Sequence, residues 1–106
     1  MEWKSSQRFL LTRASVSKNA PEASGVYGLC SPGAWIYVGQ TSNIRRALLE
    51  YLSGQMPYVL QWQPRNFVFE LHPPKERVFR QKQLAQHYQP VCNRKVNSIN
   101  QSAIAE

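Results

Sequence analysis

"GVYGLCSPGAWIYVGQTSN", residues 25 to 43, sets two small tripeptides, Gly25-Val26-Tyr27 and Tyr37-Val38-Gly39, as near mirror images about Ser31-Pro32-Gly33. Aromatic and β-branched residues on both sides of turn-forming residues read as a β-hairpin, with strands over 24–30 and 34–40. With a three-residue loop at 31–33, Cys30 falls opposite Ala34 and Tyr27 opposite Tyr37. The two phenols then meet on one face, and Val26, Ile36 and Val38 occupy the other. Pro-Gly also suits a tighter type II turn, and a slip of one residue would separate the rings. The sequence leaves both registers open.

Working outward, Thr41-Ser42-Asn43 offers helix N-caps and Gly54 a stop, so a helix is predicted over about 43–53. Ile44, Ala47, Leu48, Tyr51 and Leu52 form its apolar stripe, and Arg45, Arg46 and Glu50 its wet side. Arg46 and Glu50, four residues apart, suit a surface ion pair. "RNFVFELH" reads as a third strand. Pro73-Pro74 opens a second helix that runs to about Tyr88 and stops before Pro90. Its inner stripe is read as Val78, Gln81, Ala85 and Tyr88, with Gln81 a polar residue on an apolar face. Glu76 is a first-turn carboxylate that favours the helix dipole, and His72 and His87 read as structural. Near the start, "RFLL" suits a short strand and the residues after Thr12 a helical turn. The expected architecture is a small α/β sandwich: a central three-stranded antiparallel sheet flanked by helices.

The chain has 106 residues, enough for a single domain with one modest core. That domain has its core over about 21–94, an N-terminal extension over 1–20 and a tail over 95–106. No apolar run has the length of a membrane span, and Phe9-Leu10-Leu11 is too short for a signal sequence, so no membrane partner and a cytoplasmic setting are expected. Cys30 and Cys92 lack metal-ligand spacing and read as buried thiols. Thirteen Lys and Arg oppose six Glu, and there is no Asp, for a net charge of +7. That charge points to a polyanionic partner, and the preponderance of Arg favours phosphate.

The ordered set "GVY", "YVG", "QTSNIRRALLEYL" and "RQKQLAQHYQPVCN" resembles the GIY-YIG nuclease domain, found in the nuclease of bacterial nucleotide excision repair and in homing endonucleases. The resemblance spans about residues 21–94. It implies phosphodiester hydrolysis of DNA with Mg2+ or Mn2+, Tyr27 as general base with Tyr37 as its partner, and Asn93 as the family's late asparagine. A phenol can act as that base only if nearby cations lower its pKa. The resemblance also places Gln40 and Asn43 in a nucleic-acid groove bordered by Arg45, Arg46, Lys82, Arg94 and Lys95, with contacts mainly to the DNA backbone.

Two positions depart from the family pattern. The arginine expected eight residues after Gly39 is Ala47, and the metal-binding glutamate expected twelve residues before Asn93 is Gln81. An amide oxygen is a poorer ligand for a hard dication than a carboxylate, and alanine cannot offset charge on phosphate. The site Tyr27, Tyr37, Ala47, Gln81 and Asn93 therefore implies an inactive or impaired nuclease that retains nucleic-acid binding, with no intact metal ligand set. Two other readings stay open: a natural GIY-YIG-like binding module that never cut, and a small RNA-binding sheet whose strand aromatics in "RNFVFEL" stack bases.

Overall fold

The computed structural model describes residues 2–93. Arg94, Lys95 and the predicted tail over 95–106 lie outside the described residues. In chain order the elements are β1 (Phe9–Leu10), α1 (Arg13–Asn19), β2 (Gly25–Ser31), β3 (Ala34–Thr41), α2 (Ile44–Leu52), α3 (Pro57–Leu60), β4 (Asn66–Leu71) and α4 (Pro74–Tyr88). The strands form one antiparallel sheet in the order β1-β4-β2-β3. The sheet thus has four strands rather than three. The added strand is the two-residue β1, which pairs Phe9 with Phe67 and Leu10 with Asn66 at the edge of β4.

The hairpin register differs from the three-residue-loop expectation twice over. Ser31 pairs with Ala34 across a two-residue Pro32-Gly33 turn, and Gly33 has φ of +83°, the left-handed backbone that such a turn asks of its glycine. That is one slip. Cys30 then pairs with Trp35 but Leu29 with Tyr37, so Ile36 is an extra residue on β3, which is a second slip. Two slips restore the parity of the pleat. Tyr27 lies opposite Gly39 and diagonal to Tyr37, and the two phenols still share a face. The bulge also turns Ile36 toward the tyrosines, not away from them with Val26 and Val38 as expected. Burial of Ile36, only 2% exposed, contributes roughly 2 kcal/mol toward holding the bulge.

The two faces of the sheet are packed unequally. On the tyrosine face, Ile44, Leu48 and Tyr51 of α2 and Val16 of α1 bury against Tyr27, Leu29, Ile36 and Phe67. Asn43 starts α2 as predicted: its Oδ1 accepts the Arg46 backbone N–H at 3.0 Å. On the other face a smaller cluster of Val26, Val38 and Leu84 is flanked by Trp3 and Tyr88. Leu84 is the buried residue of α4, whereas Val78 is 43% exposed and so falls off the predicted inner stripe. The first half of α4 is held by charge instead of apolar contact.

Glu70 of β4, 6% exposed, is the centre of that attachment. Its carboxylate accepts from Arg80 Nε at 2.8 Å, from Arg80 Nη2 at 3.0 Å and from the Lys4 backbone N–H at 2.7 Å. His72 Nε2 stands 2.9 Å away, and Glu76 lies 3.9 Å beyond the His72 ring. Arg80 also donates to the Glu2 carbonyl, tying the N-terminal segment to α4. Burial alone would raise the Glu70 pKa, but the hydrogen bonds from Arg80, His72 and Lys4 outweigh it and bring it down to about 2.

A carboxylate depressed from 4.5 to about 2 stabilises the fold above its unfolded value and loses that contribution as pH falls toward 2. Denaturant melts should therefore lose up to about 3 kcal/mol between pH 5 and pH 2.5. Glu70→Gln should be less stable at pH 7 but show a flatter profile over that range. An equally steep profile in Glu70→Gln would assign the acid sensitivity elsewhere.

Candidate active site at the tyrosine face

The alternation of β2 and β3 delivers Tyr27 and Tyr37 to one place, their ring centroids 6.1 Å apart and tilted by 51°. Gly39 is what lets them nest. A Cβ there would stand 2.7 Å from the Tyr27 ring and hydroxyl and 2.8 Å from the Tyr37 ring, inside contact distance. The glycine of "YVG" is thus a space requirement set by the tyrosine directly opposite. A third phenol completes the group. Tyr58 of α3 meets the Tyr37 ring edge-on, with centroids 6.4 Å apart. Nothing in the sequence marked Tyr58, because α3 is a single turn after Pro57 with no periodicity to read.

The electrostatics oppose the role that the resemblance gives to Tyr27. Burial pushes its pKa far above the usual phenol value, and Tyr37, Tyr58 and Glu50 push it further the same way. Burial, then Tyr58, raises Tyr37 likewise. No cation figures among the causes of either shift. Both phenols remain neutral hydrogen-bonding groups throughout the physiological range.

Gln81 and Asn93 arrive from the α4 side and converge on the backbone between the two motif ends. The Val38 N–H donates to Asn93 Oδ1 at 2.7 Å, and Asn93 Nδ2 donates back to the Val38 carbonyl at 2.9 Å. Gln81 Nε2 donates to the same carbonyl at 3.1 Å. One carbonyl has two lone pairs, and both are taken. The structure thus brings Gln81 and Asn93 together, one residue along β3 from Tyr37.

The remaining candidates are dispersed. Ala47 packs half-buried against the core. Arg45 lies along α2, donating to the Ala20 carbonyl at 2.8 Å and pairing with Glu22 at 3.5 Å. Arg46 is exposed and donates to Ser42 Oγ, not to Glu50 as expected. Asn43 spends its side-chain oxygen on the helix cap, and Gln40 accepts from Arg77 Nε at 2.7 Å. Asn43, Arg45 and Arg46 line a groove of about 370 Å³ that also holds Glu22 and Glu50. Lys82 is exposed on α4, the helix of the opposite face. The strand aromatics expected to stack bases are core instead: Phe67 is fully buried, and Phe69 packs against Phe9.

The donor set does not fit a hard dication. No group of three or more His, Cys, Asp or Glu positioned for a metal occurs among the described residues. At the position where the resemblance puts a carboxylate, Gln81 offers one neutral amide oxygen, and both polar atoms of Asn93 are engaged by Val38.

No family model and no curated protein matches the sequence. Solved structures do match. The GIY-YIG N-terminal endonuclease domain of UvrC from Thermotoga maritima, bound to its catalytic divalent cation magnesium, superposes with a TM-score of 0.63 at 24% identity. The match covers 72% of this chain and 92% of that one. A point-mutant form of the same domain with its catalytic divalent cation matches at 23% identity with the same TM-score, covering 72% of this chain and 91% of that one. This chain has the GIY-YIG fold.

Two outcomes follow from the packed phenols. In alkaline titration, Tyr27→Phe and Tyr37→Phe should leave the phenolate absorbance of the folded protein unchanged below about pH 11. In denaturant each should remove one titrating phenol. A lost phenolate signal in the folded protein would place that tyrosine in a wetter site. Gly39→Ala should destabilise the fold by about 1–3 kcal/mol through overpacking, read as a lower denaturation midpoint at constant slope.

Proposed function

We propose that this chain is a GIY-YIG-fold nucleic-acid-binding domain, built as a DNA endonuclease but cutting poorly or not at all as written. What carries the reading is that the residues at the expected reaction positions, Tyr27, Tyr37, Ala47 and Gln81, are uncharged. Hydrolysis of a phosphodiester needs a base for the water, positive charge for the pentavalent phosphate and help for the leaving oxygen. Here Tyr27 and Tyr37 stay protonated, and Ala47 and Gln81 stand where the resemblance calls for an arginine and a glutamate. The residues present hold a phosphate backbone better than they break it.

Binding rests on the arginines of α2 and the cations of α4. Arg46 is exposed with a single hydroxyl partner and exchanges it for phosphate readily. Arg45 must first give up Glu22, so it contributes less. Lys82 adds an exposed cation on α4, and Arg94 and Lys95 are further proposed phosphate contacts. With about four or five phosphates neutralised, the log–log slope of duplex affinity on salt is about −4. That corresponds to a loss of roughly 250-fold between about 50 and 200 mM salt.

The test is a plasmid-nicking assay with magnesium, with manganese and with chelator. The unaltered chain should not cut. Losing one preorganised electrostatic contact costs about 10²–10³ in rate, and groups that act as a unit do not recover singly. Ala47→Arg or Gln81→Glu alone should therefore restore little. Together they should restore cleavage that chelator and Tyr27→Phe each abolish. Gln81→Glu alone also sets a carboxylate against the Val38 carbonyl, so its melting temperature should fall. Robust cutting by the unaltered chain, stopped by Arg46→Ala or Glu76→Gln, would overturn the reading. So would duplex binding that is insensitive to salt.

A further inference from the structure

The face of the sheet away from the tyrosines carries a second aromatic site. The bulge at Ile36 sends Trp35 to the α4 side, although Tyr37 two residues on faces α2. Trp35 there meets Tyr88 of α4 at 4.9 Å between ring centroids and stacks with Trp3 of the N-terminal segment at 5.8 Å. The Arg8 guanidinium lies over the Trp35 ring at 5.1 Å. Trp3 is seated by Gly28, where any Cβ would stand 2.6 Å from the indole, and its backbone N–H donates to Tyr88 Oη. These side chains line a cavity of about 270 Å³ together with Glu2, Ser5, Ser6 and Val68.

We propose that this cavity takes an unpaired nucleobase, from a single strand or an extruded nucleotide, with Arg8 against the adjoining phosphate. Three observations select that class. Three of the lining side chains, Trp3, Trp35 and Tyr88, are flat aromatics, which suits any base through its π-face. A cation sits on the platform, in a chain of net charge +7. The volume is at the small end for ligand pockets and fits one flat ring system, not a larger organic ligand. The site goes beyond the proposed function: it lies on the other face and needs no cutting chemistry.

The test is fluorescence anisotropy at low salt with labelled oligothymidylate and oligouridylate of about twelve nucleotides and with a duplex of equal length. Trp35→Ala should weaken single-strand binding by roughly 5- to 150-fold, the worth of one stacked base. Trp35→Phe should stay within about threefold, since a smaller ring still stacks. Arg8→Gln, on an exposed side chain, should weaken single-strand binding severalfold, and duplex affinity should be unchanged in all three. Because Trp35→Ala also removes packing against Tyr88, a second readout uses Trp62→Phe, which leaves Trp3 and Trp35 as the only indoles. A thymidine nucleotide and both oligomers should quench that emission saturably, and the relative strengths distinguish free nucleotide, DNA and RNA as sources of the base. Equal losses on single strand and duplex, or no saturable quenching, would overturn the proposal. Arg46→Ala separates the two readings: it should weaken duplex binding and leave the quenching intact.

Discussion

Between Trp35 and Tyr37 the backbone of β3 carries one residue more than its partner strand, and the chemistry of both faces depends on it. A two-residue turn imposes an odd slip on the hairpin, which alone would carry Tyr37 away from Tyr27. The extra Ile36 makes the total even and keeps the phenols together. The same residue breaks the alternation of β3, so Trp35 goes to the α4 face while Ile36 and Tyr37 both enter the larger core. A pleated strand cannot otherwise put aromatics two positions apart on opposite faces. The bulge thus sorts the aromatics of the hairpin into a phenol group on one side and an indole group on the other.

The two faces also handle polar groups in opposite ways. On the α4 face a buried carboxylate is surrounded by a guanidinium, an imidazole and a backbone N–H, and it stays charged. On the tyrosine face the buried polar groups are phenols whose neighbours are other phenols and a glutamate, and they stay neutral. Removing one partner of a buried charged group is costly, so Glu70, Arg80 and His72 are bound to one another as a structural unit. Neutral phenols impose no such penalty. The fold buries a charged cluster on one face and neutral phenols on the other.

Local patterning made much of this legible. The strands, the cap at Asn43 and the Pro-opened α4 followed from residue types at fixed offsets, and the four motif fragments identified the fold. The shared face of Tyr27 and Tyr37 was read correctly from a register that is off by two, because only parity decides the face. What escaped is what depends on tertiary contact. Leu84, not Val78, is the buried residue of α4, because Glu70 and Arg80 lift the start of the helix away from apolar packing. Tyr58 acts from a single turn, and Trp3 reaches Trp35 and Tyr88 over sequence distances that no periodicity spans. The arginines of α2 were visible as charges, but the contacts of Arg45 with Glu22 and the Ala20 carbonyl were not.

The pairing of Asn93 with Val38 reaches beyond the site. β3 is an outermost strand of the sheet, and such a strand offers its free N–H and C=O groups to any other chain that can lie beside it. At Val38 a side-chain amide reproduces both bonds of a neighbouring strand, and Gln81 takes the second lone pair of the same carbonyl. The carboxamides that stand at reaction positions in the resemblance act here as a stopper on the sheet. They occupy the hydrogen-bonding groups of Val38 on that exposed edge, the groups with which an added strand would otherwise pair.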